Sequence, residues 1–269
     1  RLIKSGAEIK LMEQAAKSSA EGHRRAMDYC KPGVHEYELE AELLYAFTRN
    51  GSRAPAYSSI VASGDNACIL HYNTNNAEVK EGDLILIDAG CEYEHYASDI
   101  TRTFPATGKF TPEQKAIYEI VLKAQEAAIE AVRPGAQWDA PHHASVKVIT
   151  QGLVKLGLLK GRPAQLIKSE AYKDFYMHRV GHWIGMDVHD VGDYKIDDTW
   201  RELEPGMVTT IEPGIYIAPD NTKVAKKWRG IGVRIEDDVL VTKAGYRILS
   251  KGIPKTVEEI ETFMAESAA

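Results

Sequence analysis

Two aspartates separated by 11 positions are the first candidates for chemistry in this sequence. Asp88 closes the apolar run 84–87, and Asp99 follows after a short polar stretch. A carboxylate facing inward at the end of an apolar strand is costly unless it is paired or binds a metal ion. If Tyr93 and Glu94 form a two-residue turn, Asp88 and Asp99 lie directly opposite each other on one face. Their repulsion then requires a cation between them; another turn length would make Asp99 a solvated surface acid.

Two glutamates and an arginine form a second group. Glu212 ends the apolar run 207–211 in the same way as Asp88 ends its own run. Glu236 follows Arg234 by two positions, so on a strand both side chains point to the same face. A surface ion pair on an edge strand gives the same spacing. The correspondence between Glu212 and Asp88 favours a buried site over that alternative.

Three histidines lie within 12 residues and can act as nitrogen ligands or proton carriers: His178, His182 and His189. Gly181 directly precedes His182, which is typical of backbone that lies close to a site. The segment lacks the H-E-x-x-H signature of helical zinc proteases. His71 ends another apolar stretch. Each histidine taken alone is more often structural, and the remaining ones are assigned no chemistry: His23, His35, His95, His142 and His143.

The strongest candidates form a hard ligand set of four carboxylates and one imidazole: Asp88, Asp99, His182, Glu212 and Glu236. Oxygen-rich sets suit Mn²⁺ or a similar divalent ion better than a metal that prefers thiolates. Four negative charges match two divalent cations, so the sequence predicts a dinuclear site. Two ions about 3.5–4 Å apart can hold one hydroxide and polarise a carbonyl, which is hydrolytic chemistry.

Helical and strand-like stretches must position these side chains. Apolar periodicity and breakers predict helices over 8–29, 37–50, 112–132 and 139–156. Short apolar runs predict strands over 57–62, 67–72, 84–89, 207–217 and 232–242. The third helix has the clearest start, with Thr111 as N-cap, Pro112 at the first helical position and Gln114 closing a capping box.

The order of helices followed by strands occurs twice. Lys-Pro-Gly at 31–33 is echoed by Arg-Pro-Gly at 133–135, and 82–90 is echoed by 206–214 at an offset of 124 positions. Chance agreement at a few glycines and acids is the alternative explanation. We predict an α+β fold made of two related halves, with strands inside and helices outside. Two independent domains would need a linker, and the sequence contains no low-complexity stretch that divides it.

The five-residue ligand set, with spacings of 11 between the aspartates and 7 between His182 and His189, resembles the pita-bread metallopeptidases. This family includes methionine aminopeptidases, prolidases and Xaa-Pro aminopeptidases. Four stretches are most similar to the bacterial Xaa-Pro aminopeptidases: 68–73, 87–93, 182–192 and 230–237. The resemblance covers essentially the whole chain. It implies one pita-bread catalytic domain over 1–269, with halves of about 1–107 and 108–269 around a pseudo-twofold axis.

The resemblance also implies how the ligands share two metal ions. Asp88 would bind one ion, and His182 and Glu212 would complete the second. Asp99 and Glu236 would bridge both ions. Glu212 would in addition be the general base that handles the proton of the bridging water.

Five further residues receive substrate-binding roles from the same resemblance. His189 and His71 would bind the substrate and the developing oxyanion. His178 would line the pocket for a proline ring. Arg234 would hold the ligands from behind, and Tyr216 would contact the same group of residues.

The activity implied is removal of the residue that precedes proline at a peptide N-terminus, by a hydroxide held between two metal ions, most simply Mn²⁺. The substrates would be peptides with proline at the second position. The enzymes resembled carry an N-terminal domain before a segment like 1–5, which this chain is expected to lack. A catalytically impaired fragment is therefore an alternative for the chain alone, while the full-length protein is expected to form a homo-oligomer.

Three other functions remain as alternatives. A prolidase would cleave only Xaa-Pro dipeptides. Methionine aminopeptidase fits less well, because its two glutamates lie further apart than the 24 positions between Glu212 and Glu236. A binding module that has lost catalysis would lack metal ligands, whereas all five are present.

Composition excludes several function classes. The chain has 269 residues, 44% of them hydrophobic, and a net charge of −6, which argues against binding nucleic acid or anionic membranes. Its apolar runs are too short to cross a bilayer. Three cysteines without C-x-x-C spacing indicate a reducing compartment, and no signal peptide is recognisable, so a cytoplasmic location is predicted.

Overall fold

The computed structural model describes residues 1–267, so positions 268–269 of the predicted domain lie outside the described part. The helices are α1 Gly6–Tyr29, α2 Glu36–Arg49, α3 Pro112–Glu130, α4 Ala140–Lys155, α5 Pro163–Lys168 and α6 Val257–Ser267. The strands are β1 Ala54–Pro55, β2 Ile60–Ser63, β3 Leu84–Asp88, β4 Cys91–Tyr93, β5 Tyr96–Ala97, β6 Thr101–Pro105, β7 Lys195–Ile196, β8 Thr199–Trp200, β9 Val208–Ile211, β10 Gly214–Ile217, β11 Ile231–Arg234, β12 Asp237–Thr242 and β13 Gly245–Ile248. Short 3₁₀ helices cover Gly64–Cys68, Ala171–Asp174 and Lys226–Trp228.

Helix boundaries follow local capping chemistry. The predicted start of α3 is confirmed, because the Gln114 N–H donates to Thr111 Oγ1 and the Thr111 N–H donates to Gln114 Oε1 at 2.9 Å. Ser5 and Glu8 form the same reciprocal box before α1. The helices pack in two pairs, α1 with α2 and α3 with α4. Within the described chain, every helix is too short or too polar to cross a membrane.

Two three-stranded antiparallel sheets carry the related halves. The first has the order β2-β3-β6, and the second has the order β13-β12-β9. The segment around His182 runs along the free edge of β9, where the Thr210 N–H donates to the His182 carbonyl at 2.9 Å. The Glu212 N–H donates likewise to the Val180 carbonyl at 2.7 Å. This segment therefore lies beside β9 as β2 lies beside β3.

The strands lie inside and the helices outside, as predicted. Ile85 and Ile87 of β3 share one buried apolar cluster with Leu39 of α2 and Val121 of α3. Burying a side chain of this kind stabilises the fold by about 1.5–3 kcal/mol. The packing fixes the ends of the strands, where the candidate ligands lie.

The predicted strand 67–72 is wrong. Residues Gly64–Cys68 form a 3₁₀ helix, and no strand follows before Leu84–Asp88 in the described structure. Gly64 has φ +54°, and the Asp65-Asn66 pair after it favours a turn. The Ile69 N–H then donates locally to the Asn66 carbonyl, so its donor is unavailable to a sheet.

Two longer predicted strands are each broken in the middle. The stretch 207–217 divides into β9 and β10 at Pro213, which has no N–H to donate to a ladder. The stretch 232–242 divides into β11 and β12 around Ile235 and Glu236. Val233 and Ile235 are both buried in the apolar cluster, as their predicted parity requires. Both breaks fall at candidate glutamates.

The predicted turn is one position too early. The turn residues are Glu94 and His95, with φ +46° and +70°, and Tyr93 pairs with Tyr96. In the ladder that continues from this hairpin, Asp88 therefore faces Thr101 and not Asp99. The shift in register is two positions, which preserves the face to which each side chain points.

Candidate metal centre

Nine of the ten predicted site residues line one cavity of about 440 Å³. They are His71, Asp88, Asp99, His178, His182, His189, Glu212, Arg234 and Glu236. The tenth, Tyr216, lies behind the cavity wall, with its hydroxyl oxygen 2.9 Å from His178 Nε2 and 3.0 Å from Arg234 Nη1. Folding therefore brings together the whole predicted set.

Asp99, His182 and Glu236 form the closest group in the cavity. One ligand atom from each lies within 4.8 Å of the other two, a spacing at which they could share a metal ion. His182 Nε2 is 3.3 Å from Asp99 Oδ2 and 3.5 Å from Glu212 Oε1. A Cβ atom at Gly181 would collide with the Thr210 carbonyl, so the backbone lies directly against β9 at this position.

Arg234 is the buried cation beside Asp88. Its Nη2 donates to Asp88 Oδ2 at 2.7 Å, and its Nε donates to Thr101 Oγ1 at 3.2 Å. The side chain of Arg234 is only 4% exposed and Glu236 is 1% exposed, so these two residues do not form the alternative surface ion pair. A fixed guanidinium partly offsets the acidic cluster and holds Asp88 in one orientation.

Tyr57 is a site residue that the sequence did not reveal. Its hydroxyl oxygen lies 2.7 Å from Asp88 Oδ1 and 2.6 Å from Asp99 Oδ1. Because a hydroxyl carries one proton, it donates to one of these carboxylates at a time. The link spans 31 and 42 positions of sequence, so local patterning contained no signal for it.

Glu236 is held at three of its atoms. Thr101 Oγ1 donates to Glu236 Oε2 at 2.6 Å, and the Glu236 N–H donates to the Thr101 carbonyl at 3.0 Å. Arg102 Nη1 donates to the Glu236 carbonyl at 2.6 Å. The break between β11 and β12 thus presents one carboxylate to the cavity in a fixed position.

The acids of the cavity repel one another in a buried setting. Burial raises the pKa of Glu212 to about 7, with the neighbouring Asp99 adding to the effect. Burial, Asp99 and Glu212 also hold the pKa of Glu236 well above its ordinary value. Burial raises the pKa of Asp88 although Arg234 opposes this. A divalent cation would remove this penalty, so the charge and donor chemistry of the cavity fit a metal ion.

His182 differs in its electrostatics from His178 and His189. Burial opposes the charged form of His182, but the hydrogen bond to Asp99 and the charge of Glu212 raise its pKa to about 9. Burial and the charge of Arg234 lower the pKa of His178 to about 3. Burial and His182 also lower the pKa of His189, whose ring meets that of His182 edge-on at 4.3 Å between centroids. His178 and His189 are therefore neutral at pH 7.

The sequence model for metallopeptidase family M24 matches residues 10–243. The chain belongs to this family. A Xaa-Pro aminopeptidase from Haemophilus influenzae is 53% identical over 264 residues, covering 98% of this chain and 61% of that protein. The human Xaa-Pro dipeptidase is 39% identical over 298 residues, covering 98% and 60%.

Solved M24 structures have the same fold. Aminopeptidase PepP from Pseudomonas aeruginosa superimposes with a TM-score of 0.99 at 64% identity, covering 100% of this chain and 61% of that one. The chain thus spans about three fifths of the length of these relatives. The predicted pita-bread fold with two related halves is confirmed. The assignment of individual M24 roles to side chains stays a prediction.

Proposed function

We propose that this chain is the catalytic region of a Xaa-Pro aminopeptidase, which hydrolyses the bond between an N-terminal residue and a following proline. The observation that carries the proposal is the convergence of all five candidate ligands with three histidines in one cavity of about 440 Å³. Relatives with that name and about half their residues identical support the same choice. Activity of the chain alone belongs to the proposal, as do a homo-oligomeric full-length protein and a cytoplasmic location.

The proposed cofactor is a pair of divalent ions, with Mn²⁺ favoured by the oxygen-rich donors. Asp88 would bind one ion, and His182 and Glu212 would bind the other. Asp99 and Glu236 would bridge the pair. When bound, such ions polarise a carbonyl and activate water for attack on it.

The side chains would divide the remaining work. Glu212 would take a proton from the attacking water at a carboxylate oxygen and pass it to the departing proline nitrogen. Thr210 Oγ1 donates to Glu212 Oε1 at 3.2 Å, which orients that carboxylate. His189 and His71 would donate N–H groups to the oxyanion. His178, which packs edge-on against Tyr176 at 5.0 Å, would form a wall for the proline ring.

The first prediction is metal-dependent cleavage of a peptide Xaa-Pro-Yaa. We expect hydrolysis with Mn²⁺, loss of activity with EDTA and recovery when Mn²⁺ is returned, with about two ions bound per chain because two ions balance four carboxylates. Product release measured by chromatography and metal content measured by mass spectrometry test this directly. A tripeptide with alanine in place of proline is the control.

A prolidase is the second candidate, favoured by the 39% identity to the human dipeptidase over 98% of the chain. The same assay with the dipeptide Xaa-Pro separates the two functions. Cleavage of the dipeptide alone would favour prolidase. No cleavage of either substrate by the full-length protein in the presence of Mn²⁺ would contradict both proposals.

The second prediction is that metal binding releases protons. Without metal, the pKa of His182 is about 9 and that of Glu212 about 7, both above their ordinary values. A raised pKa in the folded state stabilises the metal-free protein below the unfolded pKa, and this contribution is lost as the pH rises through the folded value. Metal ligands must be deprotonated, so the affinity for Mn²⁺ rises between about pH 6 and 9.

Calorimetric titration at pH 7 in two buffers of different ionisation enthalpy measures the released protons. We expect at least about one proton per chain, because His182 is protonated at that pH in the metal-free protein. A His182→Gln variant serves as the control and should release fewer protons. Identical heats in the two buffers would contradict the prediction.

A further inference from the structure

Part of the cavity wall is a segment without regular secondary structure beyond a 3₁₀ turn. This wall segment, residues 64–77, consists of the 3₁₀ helix Gly64–Cys68 followed by an irregular stretch. It contributes Leu70, His71 and Asn73 to the cavity lining. An irregular segment makes few backbone hydrogen bonds of the kind found in helices and sheets, so side-chain contacts must fix its position.

Glu36 supplies those contacts from outside the cavity. It is the first residue of α2, is fully buried and does not line the cavity. Its Oε1 accepts from the Ser63 N–H at 2.7 Å, from Ser63 Oγ at 2.8 Å and from Asn66 Nδ2 at 3.0 Å. One carboxylate oxygen therefore fixes the start of the wall segment.

The second oxygen fixes the remainder of the wall segment. Glu36 Oε2 accepts from the Tyr72 hydroxyl at 2.7 Å and from the Ala77 N–H at 2.9 Å. The Glu36 N–H returns a bond to the Ala77 carbonyl at 3.0 Å. Tyr72 is the neighbour of His71, so Glu36 is bonded to the residue beside a cavity histidine.

The bonding pattern requires a carboxylate. All five groups that face the side chain are donors, and none of the ion pairs among the described residues includes Glu36. A carboxylate offers only acceptor sites, about four lone pairs on two oxygens, so the five donors share them. The helix N-terminus further favours its negative charge. In a glutamine, an NH₂ group replaces one of the two carboxylate oxygens. This group would face donors and could not accept their hydrogen bonds, so the bonds to that oxygen would be lost.

The opposite side of the wall segment meets β10 and β11. Cys68 Sγ donates to the Ile217 carbonyl at 3.4 Å. A Cβ atom at Gly232 would collide with the Ala67 carbonyl, so the backbones touch there. The segment is thus held between Glu36 on one side and the strands β10 and β11 on the other.

We propose that Glu36 is a positioning residue that fixes the wall segment so that His71 faces the cavity. The inference rests on the proposed peptidase function, in which His71 binds the oxyanion, and adds a residue that contacts neither substrate nor metal. Because Glu36 acts through His71, its loss should matter only while His71 is present.

A double-mutant cycle tests this dependence. We expect Glu36→Gln to lower kcat/KM for a Xaa-Pro peptide by about tenfold to a hundredfold, the scale of a misplaced catalytic group. In the His71→Ala background the same change should cost less than about threefold, because coupled residues are not additive. The affinity for Mn²⁺ should be unchanged. The proposal would be overturned if Glu36→Gln lowered kcat/KM by the same factor with and without His71. A parallel loss of affinity for Mn²⁺ would overturn it as well.

Two further variants separate positioning from a general loss of stability. Tyr72→Phe removes one of the five bonds and should lower kcat/KM in the same direction by a smaller factor. Glu38→Gln is the matched control, because Glu38 lies in the same first turn of α2 and bonds the His35 N–H at 2.6 Å instead of the wall segment. It should destabilise the helix start without changing kcat/KM. A loss of kcat/KM in Glu38→Gln equal to that of Glu36→Gln would contradict positioning.

Hydrogen exchange gives a readout that does not need turnover. In Glu36→Gln, amides of the wall segment should exchange faster, while those of β3 should not. Unchanged exchange over 64–77 would overturn the inference. A full-length wild-type protein without peptidase activity would contradict the proposed function instead, and the exchange result would still decide whether Glu36 positions the segment.

Discussion

Replacing Asp99 with alanine is expected to lower peptide hydrolysis by more than about a thousandfold, equivalent to about 4 kcal/mol of transition-state stabilisation. Asp99 is the residue that the other site groups share. Its Oδ1 accepts from Tyr57 at 2.6 Å, its Oδ2 lies 3.3 Å from His182 Nε2, and it belongs to the closest ligand group with Glu236. Because Asp99 is a proposed bridging ligand, its removal should also abolish tight binding of the second ion. Steady-state kinetics and metal titration measure both effects.

Two controls accompany this variant: a measurement of its folding and a substitution of another aspartate. Thermal unfolding without metal checks that the variant is folded. The variant loses one repelling carboxylate but also the buried contact with His182, so we expect it to be folded and less stable than the wild type. Asp193→Ala changes an exposed aspartate beyond the His189 segment and should retain activity. Full activity of Asp99→Ala with two bound ions would exclude the proposed site.

Replacing Asp237 with asparagine is expected to destabilise the fold by about 3–5 kcal/mol, the cost of removing one partner of a buried ion pair. Asp237 is 1% exposed and accepts from Arg102 Nη2 at 2.7 Å, Gln125 Nε2 at 2.6 Å, Ser250 Oγ at 2.7 Å and Lys255 Nζ at 3.0 Å. Asparagine would leave the Arg102 guanidinium buried without its counter-charge. Denaturant unfolding of the metal-free protein measures the loss.

The pH dependence of unfolding and a variant of a surface ion pair serve as controls for Asp237→Asn. Burial opposes ionisation, but Arg102 and Lys255 hold the pKa of Asp237 well below its ordinary value. The stabilisation is therefore present above the unfolded pKa of about 3.9 and is lost as the pH falls toward the folded value. Glu13→Gln breaks the exposed contact of Glu13 with Arg247 and should cost less than about 1 kcal/mol. Equal losses for the two variants would contradict the prediction.

The sequence was most informative where an apolar run ends in an acid. Asp88 lies at the last position of β3, and Glu212 directly follows β9, as the offset of 124 positions implied. Burial of an acid beside apolar neighbours is costly, so an acid at the end of an apolar run indicates a functional role. Glu236 was predicted differently, from its parity with Arg234 within one continuous strand, and the structure breaks that strand at Glu236.

The register of the aspartates could not be read from local sequence. Glu94 and His95 adopt positive φ without being glycine or asparagine, so the residue types contain no turn signal. The strands on either side are fixed by tertiary pairing instead. The face of each side chain was nevertheless predictable, because an error of two positions leaves the parity of a strand unchanged.

Tyr57 and Glu36 were missed for a different reason. Glu36 has the appearance of an ordinary glutamate in the first turn of a helix, where acids are common and solvated. Only the fold shows that Ser63, Tyr72 and Ala77 surround it. Buried polar networks depend on contacts between distant positions, and a single sequence does not contain that information.

The candidate ligands are divided between the two predicted halves of the chain. Asp88 and Asp99 precede α3, whereas His182, Glu212 and Glu236 follow it. During vectorial synthesis on the ribosome, the first two carboxylates would emerge well before their partners, at about 5–20 residues per second. Until the second sheet docks, they lack the proposed imidazole and both glutamates. Ion capture would thus be one of the last steps of biogenesis, and a truncated nascent chain would not retain the metal.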